Sequence, residues 1–525
     1  MIEFDTITFA YPGRRAPVLD HASFTVPEGE LCLVLGPTGS GKSTLLGCVN
    51  NLVPRFTGGL RTGRILIDGA DTTRALPRDL AAQIGYVGQD PLAGFVTDTV
   101  EQELAYSMEQ LGFAPRLMRT RVEETLDLLG IDELRSRSLR TLSGGQQQRI
   151  AIGAALVTAP RVLILDEPTS ALDPAAAEEV LALVHRLVHD LGTTVLIAEH
   201  RMERVVEFAD SALLVGTDGS VLSGSLDKVL SAAPIRPPLV EIGHALGWSP
   251  LPVNIRDGRR AAAELRRRWQ ARPPAPGRIE PSGEPALNAT GIVVRYGDTV
   301  AVSDVSIRVD AGQVCALMGR NGSGKSSLLW AVHGAGRRDA GRVQVTPAAQ
   351  RPVALVPQTA SDLLYLESVA EECAEADRAA ALEPGTCLAI YRDLVGDVPT
   401  SSHPRDLSEG QKLALVLALQ LASAPRIVLL DEPTRGLDYA AKGVLRDYLN
   451  RLADEGHAII VATHDVEFAA QACSRVVLMA AGEVVADAPT RDVLAESPLL
   501  ATQAAKVSSP FGLLTVEEFV HAADL

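Results

Sequence analysis

The chain has 525 residues, 46% hydrophobic and 22% charged, with a formal net charge of −16. That length exceeds one ordinary core and implies two domains, and the balance is that of a globular rather than a disordered chain. The acidic excess disfavours a protein that tracks nucleic-acid phosphates, and six scattered cysteines with no CxxC spacing argue against a disulfide framework, as in a reducing cytoplasm.

MIEFDTITFA (1–10) alternates as a strand does and has no basic n-region, so no leader peptide is expected. The apolar strand LCLVL (31–35) runs into GPTGSGKST (36–44). A G-x-x-x-x-G-K-[ST] spacing between a strand and a helix start is the context in which a loop cradles phosphate. The loop comprises Gly36, Thr38, Gly39, Ser40, Gly41, Lys42, Ser43 and Thr44. Backbone N–H groups of residues 39–42 can curl round a β-phosphate, Lys42 can reach the β- and γ-phosphates, and Ser43 can ligate Mg²⁺. The chain has only six lysines and otherwise prefers arginine, so a lysine here marks a place for a compact point charge.

Further along, IGYVGQ (84–89) is strand-like and ends on Gln89, placed to touch the metal and an attacking water. VLILDE (162–167) is a buried parallel strand ending in two acids. Asp166 is positioned for the metal's water shell and Glu167 for polarising water as a general base. LIAEH (196–200) is another apolar strand, and His200 at its end is read as a γ-phosphate contact.

Residues 234–285 are rich in Pro and Arg and read as a linker with one short helix over 257–271, its arginines on a solvated face or, alternatively, in contact with anionic lipid or a partner. The same words then return in the same order: GRNGSGKSS (319–327), VPQTA (356–360), LSEGQ (407–411), IVLLDEPTRGLD (427–438) and IVATH (460–464). Gly319, Asn321, Gly322, Ser323, Gly324, Lys325, Ser326 and Ser327 thus repeat the phosphate loop. Gln358, Asp431, Glu432 and His464 repeat the other positions. Ser143 and Asp166 are as far apart as Ser408 and Asp431, but Lys325 lies closer to Ser408 than Lys42 does to Ser143. The helical insert of the second copy is therefore expected to be smaller. The expected domains are 1–233 and 286–505, followed by a tail, 506–525, with no motif. A tyrosine precedes each loop, Tyr11 and Tyr296; each is either an adenine-stacking residue, worth ~1 kcal/mol, or an ordinary edge-strand aromatic. The longest apolar stretch, 413–430, is interrupted by Gln420, Pro425 and Arg426, and reads as helix, turn and strand rather than a membrane span.

A phosphate loop, Gln, LSGGQ, DEP-x-x-x-LD and His in that order resemble the ATP-binding cassette (ABC) ATPases, twice over. The resemblance implies an α/β fold of two P-loop NTPase domains, each a mainly parallel core sheet with an antiparallel β subdomain and a helical subdomain. It implies ATP and Mg²⁺, and two cassettes that sandwich two nucleotides head to tail. Ser143, Gly144, Gly145 and Gln146 would then close the Lys325 site, and Ser408, Gly410 and Gln411 the Lys42 site, within one chain or between two. NNLVPRFTGGLRTGRILIDGADT (50–72) and QDPLAGFVTDTVEQELAYSMEQLG (89–112) resemble the cassettes of energy-coupling-factor (ECF) transporters. That implies a transmembrane scaffold, a substrate-binding membrane subunit, and peripheral attachment at the cytoplasmic membrane face during vitamin or metal-ion import. The other readings are a soluble twin-cassette ATPase acting on ribosomes or nucleic acid, and a fused sugar-importer ATPase. Glu409 departs from the pattern of Gly144, and Leu413 and Ala414 from Gln148 and Arg149. A carboxylate at 409 would repel a γ-phosphate, so the Lys42 site is expected to turn over more slowly.

Overall fold

Five-residue runs with no polar face can be strands only where both faces are covered. In the computed structural model Leu31–Leu35, Val162–Asp166 and Thr194–Ala198 are such strands, buried at every position. The structure describes residues 1–13, 16–170, 172–274, 283–346, 352–396 and 398–524. They divide into two units, Met1–Val240 with Ser249–Asn254, and Glu241–Trp248 with Ile255–Leu525.

The core of the first unit is a six-stranded sheet in the order Val221–Ser225, Ser211–Val215, Leu31–Leu35, Thr194–Ala198, Val162–Asp166, Ile84–Val87. Its strands are parallel except Val221–Ser225, which is antiparallel to its neighbour. In the second unit Glu483–Pro489, Arg475–Ala480, Val314–Met318, Ala458–Ala462, Ile427–Asp431 and Val353–Val356 repeat that order, again with one antiparallel edge. Asp166 pairs with Ala198 and Asp431 with Ala462, so the acidic strand ends lie beside the ends that lead to His200 and His464.

Each unit adds an antiparallel sheet. The first is built on Ile2–Ala10 between Leu19–Val26 and Leu60–Ile67, the second on Pro285–Tyr296 between Thr299–Asp310 and Ala340–Val345. Phe4 stacks on Phe24 with ring centroids 4.5 Å apart. Both belong to one core with Leu45 and Leu46 of the helix Lys42–Val49 and with Cys32 and Val34. The helix that follows the phosphate loop is thus gripped between two sheets. The helical inserts differ in size as expected: Pro115–Leu129 has 15 residues, Thr386–Val395 only 10.

The region between the repeats departs from expectation. Instead of one short helix over 257–271, its described residues form three: Pro238–Ala245, Ile255–Ala261 and Ala263–Ala271. Residues 275–282 lie outside the described residues. Pro238 opens its helix, where a missing N–H costs nothing, so this proline starts a helix rather than breaking one. The tail is not featureless either, for it carries Gln503–Ser508 and Val516–Asp524. Trp269 packs edge-on against Phe511 and Phe519, and its indole N–H donates to the carbonyl of Ala522 at 2.9 Å. Trp248 meets Phe519 edge-on, and Arg266 donates to the carbonyl of Ser509 at 2.7 Å. Arginines 259 and 266, expected to be solvated, therefore hold tail carbonyls. Among the described residues no helix is long and apolar enough to cross a membrane.

Candidate functional site

Each phosphate loop leaves a central strand and enters a helix whose first residue is the lysine. The loops need residues free to adopt left-handed backbone: Gly41 has φ +108 and Gly324 φ +100, where a Cβ would lie 2.6 Å from Val18 Cγ1 and 2.2 Å from the Ala301 carbonyl oxygen. No other residue fits there. Lys42 is buried, and its Nζ donates to the carbonyls of Gly36 at 2.9 Å and Pro37 at 3.0 Å. Lys325 does the same with Gly319 and Arg320, at 2.8 and 3.1 Å. Both ammonium groups are thus held across the mouth of their own loops.

The acids arrive from the neighbouring strand. Burial pushes the carboxyls of Asp166 and Asp431 above their usual range, partly opposed by the neighbouring hydroxyls of Ser43 and Ser326. One residue on, Glu167 and Glu432 sit at φ 54 and φ 51, conformations that side-chain-bearing residues adopt at a cost. Backbone N–H groups of both are fixed to the carbonyls of Ala198 and Ala462. His200 Nε2 lies 2.7 Å from Glu167 Oε1, and Gln89 Nε2 donates to Glu167 Oε2 at 2.8 Å. The second site is looser. There His464 presents Nδ1, at 2.8 Å from Glu432 Oε2, Lys325 Nζ stands 3.9 Å from Glu432 Oε1, and Gln358, exposed as Gln89 is, makes no such bond to Glu432 among the described residues.

A raised carboxyl pKa in the folded state means that the fold holds that proton more tightly than the unfolded chain does. Stability contributed by Asp166 therefore falls as pH rises through the window above the ordinary carboxylate range, and the ionised group is a liability near neutrality. Nucleotide-free Asp166→Asn protein is expected to melt about 2–4 °C higher at neutral pH, from relief of ~1 kcal/mol. Scanning calorimetry would contradict this by showing an equal or lower midpoint.

The signature residues fold into helix caps. Ser143 Oγ accepts from the Gln146 N–H at 3.3 Å while Gln146 Oε1 accepts from the Ser143 N–H at 3.0 Å; Ser408 and Gln411 repeat the exchange. Reciprocal caps of this kind define where the helices Gly144–Leu156 and Glu409–Leu421 begin. A Cβ on Gly145 would stand 2.9 Å from Ala176 Cβ, so the glycine lets the next helix approach. Asp173 and Asp438, which follow the DEP turns, cap those neighbouring helices.

Of the two tyrosines, Tyr11 meets the first site: its hydroxyl lies 2.9 Å from Thr44 Oγ1 and its ring packs edge-on against Phe9. Tyr296 ends the central strand of its antiparallel sheet with its side chain open to solvent. Sequence reasoning missed three carboxylates. Buried Glu199, next to His200, accepts from the Thr169 N–H at 2.7 Å; Thr463 stands in its place in the second unit. Glu103 accepts from the N–H groups of Val96 and Thr97, and Glu372 from those of Tyr365 and Leu366, each fixing the turn after the strand-end Gln. For Glu103 and Glu372 the recurrence of an acid at equivalent places in both copies was the available signal; Glu199 had none.

The profile of the family described as "ABC transporter" matches residues 19–170 and 302–435. A Streptomyces avermitilis protein described as a putative ABC transporter ATP-binding protein is 52% identical, over 99% of this chain and 100% of its own length. One of the same description from Methanosarcina mazei is 31% identical over 94% of this chain and 90% of its own. A solved structure of RNase-L Inhibitor aligns with TM-score 0.60 and 19% identity, over 92% of this chain and 91% of that one, a likeness of fold alone.

Proposed function

The chain belongs to the ABC transporter ATP-binding family, and from that premise we propose that it hydrolyses ATP at two composite sites to power ECF-type import. The observation that carries the hydrolytic part is the same conjunction built twice: a loop lysine, a strand-end Asp–Glu pair, and a histidine within 2.7 or 2.8 Å of the Glu.

These residues fit Mg·ATP. Among the described residues, Ser40 Oγ, Ser323 Oγ and Asp431 Oδ1 are buried without a hydrogen-bond partner. Each such group costs about 1–3 kcal/mol unless something satisfies it. Gly39 and Gly322, at φ +78 and +79, have nothing within 4 Å of a would-be Cβ, so that side of each loop is open to a phosphate. Ser43, Asp166 and Gln89, and likewise Ser326, Asp431 and Gln358, are the oxygen donors a hard dication takes. Bound Mg²⁺ would offset the charge of the phosphates. Glu167 and Glu432 would accept the proton of the attacking water, with His200 and His464 steering that carboxylate and the γ-phosphate. The signatures, with Ser143, Gly144, Gly145, Gln146, Ser408, Gly410 and Gln411, would lid the opposite nucleotide through helix N-termini. Tyr11 would flank the adenine in the first site and Tyr296 in the second.

Import by an ECF-type complex is supported by the ECF-like segments after the first phosphate loop and the first Gln, 50–72 and 89–112. Soluble twin-cassette factors usually join their cassettes with a long, charged helical arm, and the short helices of 234–274 therefore favour import over ribosome work. The partners would be a transmembrane scaffold and a substrate-binding membrane subunit, with this chain peripheral on the cytoplasmic face. Lys42→Ala and Lys325→Ala should each remove one of two ATP-binding events in a fluorescent-nucleotide titration, and the double variant should remove both. Undiminished binding by the double variant would end this reading. Sedimentation of the chain with ribosomes rather than membranes would replace import with the second alternative.

A further inference from the structure

The two signature helices carry the same cap but different first turns. In the first unit Gly144 stands after the cap, and Gln147 Nε2 donates to the Leu139 carbonyl at 3.0 Å. In the second these positions are Glu409 and Lys412, and Lys412 Nζ donates to Glu409 Oε1 at 2.9 Å. Three residues apart on a helix, the two side chains share a face. Lys412 is the more buried partner, its side chain 15% exposed against 53% for Glu409. Beside them lies Gly436, at φ +69, where a Cβ would stand 3.5 Å from Glu409 Cβ. Its counterpart in the first copy is Ala171, which lies outside the described residues. Between copies, then, bulk and charge have been exchanged as a set: Gly144, Gln147 and Ala171 against Glu409, Lys412 and Gly436.

We propose that Lys412 is a positioning residue that clasps Glu409, cancelling its charge and turning it from the nucleotide, so that the second signature can still close on a triphosphate. The inference rests on the reading above, in which this turn faces the ATP held by Lys42. A carboxylate in a first turn suits the helix dipole but opposes an anion arriving at the same amides. With the lysine paired to it, the helix keeps the acid without the repulsion. Slow turnover at the Lys42 site was expected from an unpaired Glu409; the pairing removes that reason.

The test uses the full chain carrying Lys325→Ala, so that Mg·ATP binding reports the Lys42 site. Adding Lys412→Gln should weaken ATP binding about fivefold at low salt, and the deficit should shrink at about 1 M salt as screening takes over. Lys412→Arg should bind as the parent does, and Glu409→Gln with Lys412→Gln should restore affinity. Unchanged affinity in Lys412→Gln, a deficit insensitive to salt, or failure of the double change to restore binding would each overturn the clasp. Should the Lys325→Ala parent bind no ATP, the functional reading itself fails and the clasp falls with it.

Discussion

ATP turnover in a Glu167→Gln, Glu432→Gln double variant is expected to fall by about three orders of magnitude while nucleotide stays bound, because a positioned general base contributes roughly 10²–10⁴-fold. Glutamine keeps the shape of the side chain and loses only its capacity to take a proton. Burial, the strand-end backbone at φ 54 and φ 51, and the histidine contacts all aim at this one carboxylate. A residue that merely braced the turn would have no use for a conformation costing on the order of 1 kcal/mol. Each single change is expected to slow turnover, since each silences one site. Phosphate release with parallel measurement of retained ATP decides the matter: turnover above about a tenth of the parent rate would assign the base elsewhere.

The second large effect is structural. Trp269→Ala should destabilise the second unit by about 3–5 kcal/mol, the range for truncating a buried aromatic. Trp269 is 3% exposed, meets Phe519 at 5.2 Å and Phe511 at 5.6 Å between ring centroids, and loses its bond to the Ala522 carbonyl as well. In denaturant unfolding the transition of the second unit should move to lower concentration while that of the first stays in place. Limited proteolysis should then cut within 255–274. A variant that unfolds like the parent would show that the tail helix only rests on this segment.

What could be read from the sequence was whatever chemistry dictates in residue type and spacing. Phosphate loops need glycine at left-handed positions and a compact cation, so 36–44 and 319–327 announced themselves, and apolar strands ending in Asp–Glu could only be central and parallel. Spacing even anticipated the smaller helical insert. The segment from 234 to 274 was illegible for a definite reason: its order depends on a few aromatics meeting partners far away in the chain, with no periodic run to mark a core. Proline there suggested a linker, because a helix-opening proline and a helix-breaking one look alike until the caps are known. Glu103, Glu199 and Glu372 looked like solvated acids because the amides they accept from come together only in the fold. Lys412 was similarly silent until its side chain was seen beside Glu409.

The grip of the tail on residues 255–271 also sets a timetable for synthesis. The partners Trp269 and Ala522 are 253 positions apart. At about 5–20 residues per second, a ribosome needs roughly 13–50 s to make that stretch. Nearly all of the first cassette can fold during translation, whereas the helices leading into the second must wait, with an indole unprotected, for the strand of chain that covers them. That interval is when a chaperone or a premature stop would matter most.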